Sequence, residues 1–325
     1  MTDGNDNISE ISTIVIDDKV VMKLCAMMVF YVVDMGQADA KKAFLLMFDE
    51  YTAEYGSRLR WTTNPTTGSW KKLANGISSY ITPHDWLLSQ DPDTDFVFHY
   101  HAGAKKDEAS DIGIEVRRGG KMNVLSHHLS SVGFRFPLQD IMDGVVDMPA
   151  LLQRWCGFLK PHHAHAGIAL NRFETYRKRG PVEMRETELL LRFPGLQYYH
   201  RAEADYDTQT NHGLYHGPRC ADWLIALSEP FVDKLGGVQT ITTNMHPLPV
   251  IAYDGGLVLQ AGDYPGIGEK DTPASLPDYV HLARVIEPIR AIDPMPHLVE
   301  PDPQNPEKLI SPYNLMNKWC SRFWS

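Results

Sequence analysis

The run Val20–Val33 is the most apolar stretch of the chain, and it limits what the rest can build around it. It is about 14 residues long and contains Lys23, short of the roughly 20 apolar residues a membrane helix needs. Val, Met, Phe and Tyr dominate it, residue types that favour extended backbone, so it reads as a long buried strand. Asp34 and Gly36 break it.

After this strand the apolar spacing changes. Ala40, Ala43, Phe44, Met47, Phe48 and Tyr51 recur at three and four, which predicts a helix over Ala38–Tyr55 with one buried face and Gly56 as its cap. A short strand at Arg58–Trp61 leads into the turn-rich Asn64–Gly68. Alternation predicts strands at Phe96–His101, Asp111–Arg117 and Val132–Phe136, with turns at Gly103 and Gly119-Gly120. Leu151, Leu152, Trp155 and Leu159 make the stripe of a helix over Met148–Leu159 that Pro161 ends. A strand at His163–Leu170 and a helix at Glu183–Arg192 follow. Asp222–Leu235 reads as a helix interrupted by Pro230, with Trp223 on its apolar stripe. Asp254-Gly255 between Pro249–Tyr253 and Leu257–Ala261 is a strong hairpin signal, and Leu276–Val285 is a last amphipathic helix of this block. Seven prolines between Pro288 and Pro312 predict an extended arm. It ends in Leu315, Met316, Trp319 and Phe323, spaced as one helix face that must bury against this chain or another.

Helices and strands are interspersed, and several strands are joined by short turns. The expected fold class is therefore α+β, with largely antiparallel sheets and packed helices, rather than a doubly wound parallel sheet. The expected organisation is a loose N-terminus (1–17), two loosely similar α+β subdomains (18–145 and 146–290), and a Pro-rich arm with an aromatic helix (291–325).

The net charge of −10 argues against nucleic-acid binding and fits a basic partner. Cys25, Cys156, Cys220 and Cys320 are far apart with no CxxC pair, as expected of reduced, buried thiols. The N-terminal residues carry no basic segment before an apolar core, so no signal peptide is expected, and the expected location is cytoplasmic.

No phosphate-binding GxxxxGK(S/T), strand-linked GxGxxG, HExxH, GxSxG or EF-hand motif occurs. Fourteen histidines are the compositional oddity. His99 and His101 share a strand face, as do His163 and His165; hydrogen-bonded strand histidines are the preferred reading, and a metal site would need further ligands. The adjacent His127-His128 cannot chelate together from one strand. Gly262–Gly268 is glycine-rich but leads into no helix start, so it reads as a surface loop. Arg172, Arg177, Lys178 and Arg179 are surrounded by Glu174, Glu183, Glu186 and Glu188, which reads as a salt-bridged face. The acidic runs Asp91–Asp95 and Glu203–Asp207 read as solvated loops in the first place, and as loops that could steer a basic partner in the second, a reading that the net charge of −10 favours a little.

Several segments, in order, carry a resemblance. They are Arg58-Leu59-Arg60-Trp61, Ser131-Val132-Gly133-Phe134-Arg135-Phe136-Pro137, His165-Ala166-Gly167-Ile168-Ala169-Leu170 and Phe193-Pro194-Gly195-Leu196-Gln197. Trp223–Ser228, Lys234-Leu235-Gly236-Gly237 and Tyr253–Gly262 complete the set. Over roughly residues 20–290 the pattern resembles the type VI secretion immunity proteins that neutralise VRR-nuclease and restriction-endonuclease-like toxins. The resemblance implies a cytoplasmic, non-enzymatic inhibitor that binds a cognate nuclease toxin and covers its active site or DNA-binding groove. It implies no cofactor, no metal, no direct nucleic-acid contact and no membrane. Its motif residues are mostly Gly, Pro and apolar types that hold a fold, so they are not taken as toxin contacts. The candidate partner-binding residues are instead the acids Asp93, Asp95, Glu203, Asp205 and Asp207. The alternative reading is a metal-dependent hydrolase built on the two His-x-His pairs.

Overall fold

Strand β2 (Lys19–Val32) is the spine of the molecule. Its backbone pairs with β8 (His163–Arg172) on one edge and β7 (Ser130–Phe136) on the other, both antiparallel. Both faces are covered as well, and from Cys25 to Val32 every side chain is buried. A strand enclosed on four sides has no solvent face to keep polar, which is why this run is apolar at nearly every position. The structure, a computed structural model, describes residues 11–118, 129–173, 179–199, 213–269, 271–291 and 297–324.

Eleven strands form one antiparallel sheet among the described residues. From β2 outward through β7 lie β6 (Gly113–Arg118), β5 (Phe96–His101), β3 (Trp61–Thr63) and β4 (Trp70–Lys72). Through β8 lie β9 (Leu224–Ser228), β11 (Gly256–Gln260) and β10 (Val250–Tyr253), while β1 (Thr13–Ile16) pairs with the start of β2. The fold is thus α+β on a large antiparallel sheet. Strands from before and after residue 145 share that sheet, and β2 and β8 pair over ten positions.

Helices cover one face. Helix α1 (Ala38–Tyr55) buries Phe44, Met47, Phe48, Tyr51 and Tyr55, at the predicted spacing. After the short α2 (Pro83–Trp86) and α3 (Leu138–Met142), α4 (Met148–Leu159) buries Leu151, Leu152, Trp155 and Leu159. Trp155 lies 4.5 Å, ring centre to ring centre, from Phe134 of β7 and 6.2 Å from Phe30 of β2, joining helix and sheet in one core. Gly56 does cap α1, but in the right-handed conformation; the left-handed exit occurs at Lys160 after α4. A second core joins Leu24, Ile168 and Leu170 to Leu189 and Leu190 of α5 (Arg179–Arg192).

The structure departs from the sequence expectation at four elements. The strand expected at Arg58–Trp61 is shifted: Gly56–Arg58 continue α1 as a tight turn, and the strand is β3 (Trp61–Thr63). Asp222–Leu235 is not one helix: it is strand β9 followed by α6 (Glu229–Lys234). Pro230 stands at the start of α6, where its missing N–H costs nothing, instead of interrupting a longer helix. Trp223 is therefore buried at the entrance to a strand, not on a helix stripe. The chain continues through α7 (Gly237–Met245), the β10–β11 hairpin and α8 (Pro277–Ile286). The Pro-rich segment is no uniform arm: β12 (Glu300–Asp302) and β13 (Asn305–Ile310) pair as a hairpin, and Leu298 and Val299 are buried. Residues 13–16 are likewise strand β1. Helix α9 (Tyr313–Cys320) then buries Met316, Trp319 and Cys320 in the second core, so the aromatic face is covered by this chain itself.

Candidate functional site

The two His-x-His pairs lie on the sheet face opposite α1 and α4. Alternation puts His99 and His101 of β5, Glu115 of β6, Arg135 of β7, Met27 of β2 and His165 of β8 on that side. The register aligns His101, Gly113, Arg135 and Met27 across four strands. Arg135 lies over Gly113: a Cβ there would come within 2.4 Å of its Nη2, so only glycine leaves room for the guanidinium. Arg135 Nη2 donates to His99 Nε2 at 3.0 Å, and Nη1 lies 3.8 Å from Glu115 Oε2. Tyr51 of α1 joins the two layers, donating to the Arg135 carbonyl at 2.5 Å and accepting from Gly113 N–H at 3.0 Å.

His101 is buried and accepts from the Gly103 N–H through Nδ1 at 3.1 Å. Burial, reinforced by the Arg135 charge, pushes its pKa down to about 3, so it is neutral at physiological pH. The second pair forms a chain instead. His163 Nε2 meets the Leu214 carbonyl at 2.8 Å, His163 Nδ1 meets His165 Nε2 at 3.0 Å, and His165 Nδ1 meets Asp222 Oδ2 at 2.5 Å. Since each ring nitrogen of His163 and His165 has a partner within this chain, the pair is committed to hydrogen bonding. Burial, then the neighbouring imidazoles, hold the His163 pKa well below its ordinary value. No group of three or more His, Cys, Asp or Glu among the described residues has the geometry to hold a metal ion. The cavity beside His99, His101, Glu115 and Arg135 has a volume of about 30 Å³, room for a water molecule.

The acidic candidates divide. Asp93 and Asp95 are exposed on the loop before β5. Behind that loop, buried Arg118 of β6 bonds Asp34 at 2.9 Å and the Thr94 carbonyl at 3.2 Å, and reaches to 4.0 Å from Asp93. The loop is therefore held from inside while its carboxylates face out. Glu203, Asp205 and Asp207 lie outside the described residues, as do His127-His128, Gly119-Gly120, Glu174, Arg177 and Lys178. Arg172 is paired as expected, at 2.9 Å from Glu183 and 3.2 Å from Glu186, but this cluster is largely buried.

A second acidic surface emerges that the sequence reading did not single out. Helices α1 and α4 run antiparallel, tied where Arg154 and Trp155 Nε1 both engage Glu50. Burial would raise the Glu50 carboxyl, but these two donors outweigh it and hold the pKa low. Beyond this tie, Glu54 and Tyr55 face Asp147 and Ala150 across a cleft of about 240 Å³. Exposed acids at the end of one helix and the start of another look, in sequence, like ordinary solvated positions; only the packing brings them to one cleft.

The family model of TsiV, type VI immunity for VRR-NUC, matches residues 43–323. The chain belongs to the TsiV family. The solved structure of the Pseudomonas aeruginosa T6SS protein PA0821 is similar to this TsiV-family chain with a TM-score of 0.80 and 19% identity, covering 99% of this chain and 91% of that one. At that identity the likeness speaks for the fold. No curated protein matches the chain significantly. No helix among the described residues is long and apolar enough to cross a membrane.

Proposed function

We propose that this chain is an immunity protein that binds a cognate VRR-type nuclease toxin of type VI secretion and silences it by covering its active site or DNA-binding groove. The observation that carries the reading is the family match over residues 43–323. The chemistry supports it. A nuclease presents cationic surface to the phosphates of its substrate, and a protein of net charge −10 is drawn to that same surface. The inhibition needs no catalysis and no cofactor from this chain, and it takes place in the cytoplasm, where the toxin meets DNA. Asp93 and Asp95, with Glu203, Asp205 and Asp207, are proposed as rim charges that speed association.

The test is co-expression with a VRR-nuclease toxin, sought first among the products of the neighbouring genes. Expected are survival of the host cells, recovery of a stable complex, and loss of nuclease activity in that complex. Toxicity undiminished by the chain, with no complex recovered, would sink the proposal. The hydrolase alternative would regain ground only if the purified protein carried stoichiometric zinc.

A further inference from the structure

Resting on the proposed function, we propose that the outer face of α1 and α4, with the turn between α3 and α4, is the docking surface for the nuclease. The cleft beside Val145 would take an apolar side chain flanked by Lys or Arg. Apolar groups stand exposed there without cover. Val145, 65% exposed, lines the Glu54–Asp147 cleft, and Met142, 40% exposed, stands three residues before it at the end of α3. With Glu50 opposite Arg154, one turn back along α1 and one turn on along the antiparallel α4 place Leu46 at the level of Phe158, and these are 54% and 40% exposed. An exposed apolar set rimmed by charged residues marks an interaction site.

Charge selects the occupant. Glu54 and Asp147 are exposed on the walls of the cleft, and Asp143 is exposed on the turn that leads to Val145. Of the cations beside it, Arg154 is paired with Glu50, and Arg58, over the Tyr55 ring, is a single charge against these three carboxylates. The field over the cleft is therefore negative, which favours a cationic protein. A second copy of this chain carries the same −10 and is repelled, as is a nucleic acid. The extent also fits. Lys41 at the start of α1 bonds the Gln90 carbonyl, so the Asp93–Asp95 loop adjoins one end of the helix and the Glu54 cleft the other. Eighteen residues of helix span about 27 Å, the width of a patch of about 800 Å² that a stable interface buries on each partner. Apolar anchors would then lie between two acidic ends.

The experiment compares the full chain with its Glu54→Arg/Val145→Arg variant for binding to a catalytically inactive form of the VRR-nuclease toxin identified by co-expression. Both side chains are exposed, so the melting temperature should hold. Expected is a loss of at least 30-fold in affinity for the variant. In hydrogen exchange on the unaltered complex, protection should cover residues 142–147 and the exposed positions of α1 and α4. Equal binding by variant and parent, or protection confined to other surfaces, overturns the surface while leaving the immunity function standing. Failure of the parent chain itself to bind removes that function and this proposal together. A stable homodimer that hides this face in light scattering also overturns it.

Discussion

His101 titrates against its own fold. Its pKa is near 3 in the native state, against about 6.5 in the unfolded chain, because burial and Arg135 disfavour the imidazolium. The unfolded state therefore binds the proton first. The stability this neutral histidine contributes is fully present above pH 6.5 and is lost as pH falls toward 3, at about 1.4 kcal/mol per pH unit. His163, also held low by burial and its imidazole neighbours, adds a loss of the same sign. Urea midpoints should drop clearly between pH 7 and pH 5, and His101→Asn should flatten that drop; a midpoint unchanged across the interval would show that neither group is excluded from protonation. A second residue-scale prediction concerns Gly113. Its missing Cβ is where Arg135 lies, so Gly113→Ala should cost about 2–3 kcal/mol, and a denaturation curve like that of the parent would show that the guanidinium has another place to go. Alternation alone revealed that each histidine pair shares a face. The partners were not legible, because Arg135 is 36 residues from His99 and Asp222 is 57 from His165.

Trp155 is the side chain through which an element is fixed to the sheet. It is 1% exposed, touches Phe30, Phe134 and Phe136, and donates to Glu50. Trp155→Ala should cost about 3–5 kcal/mol in chemical denaturation, and Trp223→Ala should cost a similar amount despite its different setting. Wild-type stability in both would mean that neither ring fills its core. The α1 and α4 faces could be read beforehand because each helix buries one stripe, so the 3.6-residue period survives in the sequence. The stretch Trp223–Ser228 could not: β9 is buried on both faces, and a short apolar run without alternation fits helix or strand equally. The β12–β13 hairpin was hidden for another reason. Prolines are tolerated in a two-stranded edge where the lost N–H faces water, so a high proline count did not exclude pairing.

At the scale of the whole molecule, a charge of −10 acts over distances that no single contact spans, so its effect belongs to the rate of encounter. Composition alone makes this field legible; which carboxylates share a surface depends on tertiary packing, as the cleft between α1 and α4 shows. Rim charges contribute little one at a time, because water and salt screen each pair, and single substitutions among the proposed rim acids Asp93, Asp95, Glu203, Asp205 and Asp207 should be nearly silent. Their sum is different. Replacing all five with Asn or Gln removes half of the net charge and should slow association with the nuclease roughly tenfold at low salt. Dissociation should change much less, since rim charges leave the desolvated contacts intact. Raising the ionic strength from about 0.01 M to 0.15 M shortens the screening length from about 30 Å to about 8 Å, so the difference between variant and parent should shrink toward nothing. Surface plasmon resonance at those two salt concentrations separates the two rates. An association rate unchanged in the five-fold variant at low salt would remove these loops from the approach of the partner, and would leave the acids around the α1–α4 cleft as the source of any steering.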